Sequence, residues 1–456
     1  MYSKRGFKKC QPPLVLSNNN IRGRPMSIDR FVDAARRSSG EFSPPVRSLL
    51  DIDFYKFTMG QVIWQHYPDV EVTFKLIIRD KSIPVGDIVS EDELRMSLDY
   101  VRDLTLSRTD LYYLRGMDLY DLYMLKEGYL DGFLRSLKLP PYRLERWSNG
   151  LELSFSGKWA EVSMWETIAL AIISELYYRA LMRKMTKHEL ELIYARAMDR
   201  ISRKLEELLK YPRIRFADFG QRRRHSFLWQ DWVVGLAKDM MGEQFVGTSN
   251  TWMAFHHDLP PIGTNAHEMP MVLVALAPDG EKIEAQYRIL KLWEQTYGRG
   301  LRIFLPDTYG TTQFFQNAPE WVMGWKGFRQ DSGDPVTQGR MYIEKLRRKG
   351  IDPKTKLMIP SDGLDVEEIK RIDRELGDEI NLSFGWGSLF TNDLRGCHAD
   401  PLFRPFSMVC KVVEANGRPC VKLSDNTGKA TGPTDEIARY IKIFGDSGRS
   451  SQNVIV

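Results

Sequence analysis

The segment GTNAHE, residues 263–268, presents His267 after a glycine and a run of small residues. An imidazole in such a loop serves as a general base or as a nucleophile, and it is among the few side chains that accept a phosphoryl group near neutral pH. Zinc-hydrolase chemistry has no support, because an HExxH motif would need a histidine where Met271 stands. In GFRQDSGD, residues 327–334, Arg329 and Asp331 are two apart. On a strand both turn to one side, where the cation suits an anion and the carboxylate suits a sugar hydroxyl or magnesium. FADFGQRRR, residues 216–224, sets Phe219 ahead of three arginines that can open a helix. A forked guanidinium beside an aromatic ring holds an anionic aromatic ligand by charge and stacking. IPSDGLD (359–365) and FGWGS (384–388) add glycine-containing turns whose backbone N–H groups cradle phosphate.

These clusters need a scaffold that brings them to one place. From Arg213 onward short β-rich runs alternate with helical stretches: IRFADFG, EQFVGTSN, the segment before GTNAHE, LRIFLPD, WKGFRQDSGD, TKLMIPSDG and INLSFGWG. Strand–helix alternation predicts a parallel sheet, closed as a barrel or open and doubly wound. Nearly every run ends in polar or glycine residues: Asp218, Thr248 and Ser249, His267, Asp307, Arg329 and Asp331, Asp362, then Gly385 and Gly387. The C-terminal rim of a barrel collects such groups into one site, which favours the barrel.

Ahead of it, LLDIDFYKFTMGQVIWQHY predicts a helix with Asp53 near its cap, and VEVTFKLII predicts a strand. Helical stretches at 91–104 and 111–122 and the alternating run 151–157 complete a small α+β lobe. Residues 161–209 are strongly helix-forming, and MWETIALAIISELYYRALM is apolar over most of its surface, which implies deep burial. Two alternating runs around Asn416-Gly417 signal a β-hairpin that returns to the smaller lobe and sets Cys420 opposite Val413, away from Cys410. The expected division is a basic, disordered arm over 1–45, an α+β lobe over 46–160 completed by 405–456, and a helical connection with the barrel over 161–404. The closing SGRSSQNVIV reads as a loose tail.

The formal charge of +5 is unevenly spread: residues 1–47 carry +7, leaving the remainder at −2. This asymmetry points to a solvated tail and argues against a nucleic-acid partner. No stretch approaches a membrane span and no secretory leader is evident, so a cytoplasmic location is expected. The four cysteines show no metal spacing and are expected to be reduced.

Taken in order, DIDFYKFTMGQ, DFGQRRR, FVGTSN, GTNAHE, FRQDSGDP, PSDGLD, LSFGWG and KLSD resemble the nicotinate phosphoribosyltransferases, in particular their bacterial branch, from about Val46 to Lys429. The resemblance implies an enzyme of NAD biosynthesis and salvage that uses nicotinate, phosphoribosyl pyrophosphate, Mg²⁺ and ATP. It also implies a two-lobed fold with an irregular α/β barrel, and a homodimer with shared active sites. Tyr55 would reach across that interface to sandwich the pyridine ring against Phe219, with Thr264 nearby. Arg222 and Arg329 would hold phosphates and carboxylate, and Asp331 would contact the ribose hydroxyls. Gly385 and Gly387, with Asp362 and Gly363, would bind the 5-phosphate; Ser388, where the family commonly has threonine, keeps a hydroxyl there. His267 matches the autophosphorylated histidine, with Asp307 as its orienting partner. Related nicotinamide-specific enzymes carry an aspartate where Ser249 stands, so Ser249 is expected to remove a repulsion and to donate a hydrogen bond to the carboxylate of nicotinate. Rival readings are a nicotinamide enzyme, a phosphosugar aldolase or isomerase, which would need a lysine or carboxylate base at a strand end, and a basic arm acting on nucleic acid or membrane.

Overall fold

A computed structural model describes residues 28–37, 41–119, 122–147 and 150–451, without the side chains of Leu119 and Trp147. The alternating runs at both ends of the chain form one antiparallel sheet. Glu71–Ile78 lies at its centre between Met408–Ala415 and Gly150–Lys158, and Tyr142–Trp147 and Arg418–Pro419 form the edges. The C-terminal hairpin turns at Asn416 and Gly417, both with positive φ, as a tight two-residue turn requires. The Cys420 amide donates to Val413 O at 2.8 Å, and Cys397, Cys410 and Cys420 are free thiols. Cys10 lies outside the described residues.

Beyond this sheet the strands are parallel. One set runs in the order Asn381–Leu382, Leu357–Pro360, Gly327–Gln330, Ile303–Phe304; the other runs Phe384–Trp386, Phe216–Asp218, Phe245–Thr248. A single stretch of chain, 381–386, joins the sets: Ser383 N donates to Met358 O, and Phe384 N to Arg215 O. On the far side, the run before GTNAHE forms no strand. It makes a bridge between Thr248 and Pro261, and Asn265 Nδ2 donates to Ile303 O at 3.1 Å. Backbone ladders therefore do not close a ring among the described residues. The mixed α/β architecture with parallel sheets is nonetheless plain, and the strand ends named above share one rim.

The helix Trp165–Met182 is buried along nearly its whole length, and three of its polar side chains tie it to neighbouring segments. Ser174 donates to Arg224 O, Glu175 accepts from Phe227 N, and Glu166 meets two lysines. Among the described residues no helix is long and apolar enough to cross a membrane.

Three expectations require correction. Residues 28–36 of the supposed arm form a helix, Ile28–Arg36, whose Phe31 stacks on Tyr194 at 4.9 Å. Its apolar stripe spans only two turns, too short for a periodicity argument, and burial against its neighbours stabilises it; residues 1–27 lie outside the described chain. The tail is docked as far as Ser450: Arg449 donates to Ser424 O and Leu423 O, and Ser450 N donates to Asp425 O. Finally, among the described residues 405–451 only the hairpin joins the antiparallel sheet. The helix Thr434–Phe444 packs instead with Val274, Ala277, Ala285 and Tyr309.

One buried ion pair fixes the entry of the chain into this fold. Arg224, fully buried, makes two 2.7 Å hydrogen bonds to the carboxylate of Asp51 and a third to Pro45 O. Removing the guanidinium leaves a buried carboxylate without its counter-charge, which costs on the order of 3–5 kcal/mol. Arg224→Gln should lower the urea midpoint accordingly, whereas the apolar pair Arg224→Met with Asp51→Leu should recover much of the loss; an unchanged midpoint in Arg224→Gln would contradict the assignment.

Candidate active site

His267 stands at the residue preceding the helix Glu268–Leu276, almost fully buried. Its Nε2 is 2.7 Å from Asp307 Oδ1, just beyond the strand Ile303–Phe304. Asp307 Oδ2 accepts from Ser332 Oγ at 2.7 Å and from Lys422 Nζ at 3.2 Å. Burial opposes the Asp307 charge, but His267 and Lys422 hold its carboxyl well below the usual range. An ionised carboxylate only accepts, so the imidazole proton sits on Nε2 and the lone pair on Nδ1. Burial, outweighing Asp307, pushes the imidazole down to about 4. Nδ1 points toward Asp331 Oδ2, 3.7 Å away and too far for a hydrogen bond. The geometry therefore presents a neutral, oriented nitrogen.

Asp331 Oδ1 accepts from Arg329 Nη1 and Ser361 Oγ, both at 3.1 Å. Arg329 also donates to Asn265 O at 3.3 Å. Although burial opposes it, Arg329 and His267 keep Asp331 well below the ordinary carboxylate value. Lys429 forms an ion pair with Asp362 and donates to Asp331 O at 3.2 Å, and Arg79 Nη2 donates to Lys429 O at 3.1 Å. One potential ligand atom from each of His267, Asp307 and Asp331 lies within 4.8 Å of the others. Both oxygens of Asp307 are already engaged, one by a buried ammonium, so the trio is not a metal cage. Asp331 is the member whose Oδ2 is uncommitted.

The three consecutive arginines do not open a helix; Gln221–Arg223 is a single 3₁₀ turn, and each arginine has a different task. Arg224 belongs to the buried pair described above. Arg223 donates to Met408 O at 3.0 Å, and burial, with Arg222 and Arg79 nearby, pushes its guanidinium down to about 9. Arg222 is 32% exposed and lies 3.6 Å from Glu166 and 3.9 Å from Asp53, beyond hydrogen-bond distance, so its donors remain available to a ligand.

Beneath Arg222 lies a network of buried charges. Lys56 Nζ is 2.7 Å from Glu166 Oε2, pairs with Glu268, and donates to Ser163 Oγ. Glu166 Oε1 is 3.3 Å from Lys411. Glu268 Oε1 accepts from Ser163 Oγ at 2.6 Å and from Trp159 Nε1 at 3.2 Å. Despite burial, Lys56, Lys411 and Arg222 hold Glu166 far below the usual carboxylate range. Burial pulls Lys411 down to about 8.

Ser249 departs from expectation. Its hydroxyl donates to Asp53 Oδ1 at 2.5 Å, so it is not free to donate to a ligand. Tyr55 is tied to the same loop as His267. It opens the helix Tyr55–His66 and lies against Gly263 of its own chain, where an added Cβ would come within 3.1 Å of the Tyr55 nitrogen. Thr264 O accepts from Thr58 Oγ1 at 2.9 Å, tying GTNAHE to the same helix. Phe219 lies across Gly385; a Cβ there would stand 2.4 Å from the ring, so only glycine admits it. A Cβ added at Gly387 would meet nothing closer than Phe219 O at 3.8 Å. Ser388 begins the short helix Ser388–Thr391, and Gly363 takes φ +60° in the turn after Leu357–Pro360.

The structure thus gathers His267, Asp307, Asp331, Arg329 and Asp362 into one bonded cluster, Tyr55, Ser249, Thr264 and Arg222 into a second, and Phe219, Gly385, Gly387 and Ser388 into a third. Sequence reasoning missed Asp53 as a site group, and also Arg79, Lys411, Lys422, Asp425 and Lys429. Asp425, which accepts from Thr311 Oγ1 at 2.6 Å and from Gln338 Nε2 at 2.9 Å, secures the turn that carries Lys422. The KLSD motif was visible, but nothing in its spacing places a segment that follows a hairpin of another sheet on this rim.

Residues 214–447 match the nicotinate phosphoribosyltransferase (NAPRTase) family, and residues 50–174 match the N-terminal domain of that family. The chain is similar to a solved nicotinate phosphoribosyltransferase from Vibrio cholerae, with 30% identity and a TM-score of 0.79 over 90% of this chain and 95% of the other. It is also similar to one from Porphyromonas gingivalis, with 29% identity and a TM-score of 0.78 over 88% of this chain and 100% of the other.

The geometry predicts that His267 stays neutral, with its proton on Nε2, from pH 8 to about pH 5 in a ¹⁵N NMR titration; a midpoint at or above 6.5 would contradict it. Because the folded value lies below the unfolded one, the unfolded chain binds this proton first, and the His267 contribution to stability falls as pH drops from 6.5 toward 4.

Proposed function

Because the chain belongs to the nicotinate phosphoribosyltransferase family, we propose that its rim transfers the phosphoribosyl group of phosphoribosyl pyrophosphate to nicotinate, forming nicotinate mononucleotide and pyrophosphate for cytoplasmic NAD biosynthesis and salvage. ATP hydrolysis drives the transfer through phosphorylation of His267. The observation that carries this reading is the His267–Asp307 pair, which locks Nε2 at 2.7 Å and leaves Nδ1 as the nucleophile beside a cationic cleft. We read the parallel strands, with the bridging run 260–265, as an irregular α/β barrel, and the active unit as a homodimer.

In this reading Tyr55 and Phe219 bracket the pyridine ring while Arg222 meets its carboxylate. Asp331 accepts from the ribose hydroxyls. Gly385, Gly387 and Ser388, with Asp362 and Gly363, receive the 5-phosphate, and Arg79, Arg329, Lys422 and Lys429 supply positive charge for the remaining phosphates. As the bond from C1 to pyrophosphate breaks, the sugar gains oxocarbenium character and the ring nitrogen attacks the opposite face. The residues contribute mainly position and fixed charge. Mg²⁺ arriving with the diphosphate would neutralise the leaving group, and Asp331, with its uncommitted oxygen, is the residue that fits it. Phosphoryl transfer from ATP to Nδ1 forms an N–P bond and releases ADP, and Asp307 offsets positive charge developing on the ring.

Pyrophosphate release should require nicotinate and increase with ATP. His267→Ala should reduce the rate with ATP to the ATP-free rate, leaving slow transfer. Retained stimulation would refute the phosphohistidine role, and absence of turnover with nicotinate would refute the reading as a whole.

A further inference from the structure

Asp53 is 2% exposed and immediately precedes the segment that carries Tyr55. Ser249 Oγ occupies its Oδ1, while Oδ2 is buried without a hydrogen-bond partner, 3.9 Å from Arg222 Nε. The charged groups acting on it come from three other elements: Arg222 from the 221–223 turn, Glu166 from the helix Trp165–Met182, and Asp218 from the strand Phe216–Asp218. Ser249 is neutral, and Tyr55, raised well above its ordinary value by burial, is neutral too.

Arg222 is thus already shared by two carboxylates, those of Glu166 and Asp53. A third carboxylate, arriving on the ligand, needs one of the two to give up its charge. Glu166 is held ionised by Lys56 and Lys411. Asp53 has no cation of its own, and an oxygen open to a proton.

We propose that Asp53 is a specificity-determining group of the pyridine subsite: it takes a proton from solvent onto Oδ2 when a ring carboxylate binds at Arg222, and in its ionised form it favours an uncharged carboxamide. This rests on the proposed placement of nicotinate at Arg222. The protonated acid donates to the ligand carboxylate, whereas the ionised acid accepts from an amide N–H and repels a carboxylate. Burial, only partly offset by Arg222 and Ser249, raises Asp53 to about 6, so the exchange falls in the working pH range. Selectivity then resides in the protonation of Asp53 as well as in the residue at 249.

The test uses the full-length enzyme with nicotinate and nicotinamide between pH 5.5 and 8.5, a range in which the nicotinate carboxylate stays ionised. The KM for nicotinate should rise toward tenfold per pH unit above the Asp53 midpoint, as uptake of one proton requires. Calorimetry at pH 7.5 in buffers of different ionisation enthalpy should show close to one proton taken up with nicotinate and none with nicotinamide. Asp53→Asn should flatten the nicotinate profile and lower its KM at pH 8 about tenfold or more. Ser249→Ala, which removes the donor to Oδ1, should move the break to higher pH and guards against misfolding of the first variant. Turnover of nicotinate with a flat KM and no proton uptake in the unmodified enzyme would overturn the Asp53 role while leaving the proposed reaction standing. Absence of nicotinate turnover at every pH would instead overturn the reaction.

Discussion

The buried network joining Lys56, Glu166, Glu268 and Lys411 is the constraint on which the site depends. Each partner comes from a different part of the chain: the first helix after Asp53, the central buried helix, the helix that follows His267, and the C-terminal hairpin. Taking such groups out of water costs several kcal/mol per ion, and the cost is offset only when every charge keeps its partners. That requirement holds the four segments in one register. Glu268 adjoins His267 and Glu166 faces Arg222, so the network also ties the position of the imidazole to that of the guanidinium.

Charge drawn from both ends of the chain completes a rim that the parallel strands alone would leave short of cations. The Asn416-Gly417 turn sends the chain back from the antiparallel sheet. The returning segment inserts Lys422 against Asp307 and Lys429 against Asp362. Arg449 then clamps the backbone at Leu423 and Ser424. At the other end, the Arg224–Asp51 pair fixes the approach to Asp53 and Tyr55. The site is therefore a product of chain crossing, and strand ends supply only its middle.

How much of this was legible follows from the range over which each signal acts. Six of the seven β-rich runs became parallel strands, because alternation and flanking glycines are local properties. The seventh, before GTNAHE, runs through Pro260 and Pro261, which withhold ladder donors, and it forms a bridge and a side-chain link instead. The rim clusters were visible because each ends a strand. Asp53 was read as a helix cap, yet its carboxylate turns away to Ser249, a partner 196 positions later that no local pattern reveals. Likewise RRR looks like one feature in sequence, while Asp51, Met408 and Glu166 divide it into three.

The candidate site concentrates positive charge. Arg79, Arg222, Arg223, Arg329, Lys411, Lys422 and Lys429 converge on it, and burial depresses Arg79, Arg223, Lys411 and Lys422, each also lowered by a neighbouring cation. Cations held this close disfavour one another, and an anion placed among them would relieve part of that cost. Because the donors are already fixed by Asp307, Asp331, Asp362 and Glu166, little reorganisation accompanies that relief, which is the condition under which fixed charge contributes most to a reaction that builds charge as it proceeds.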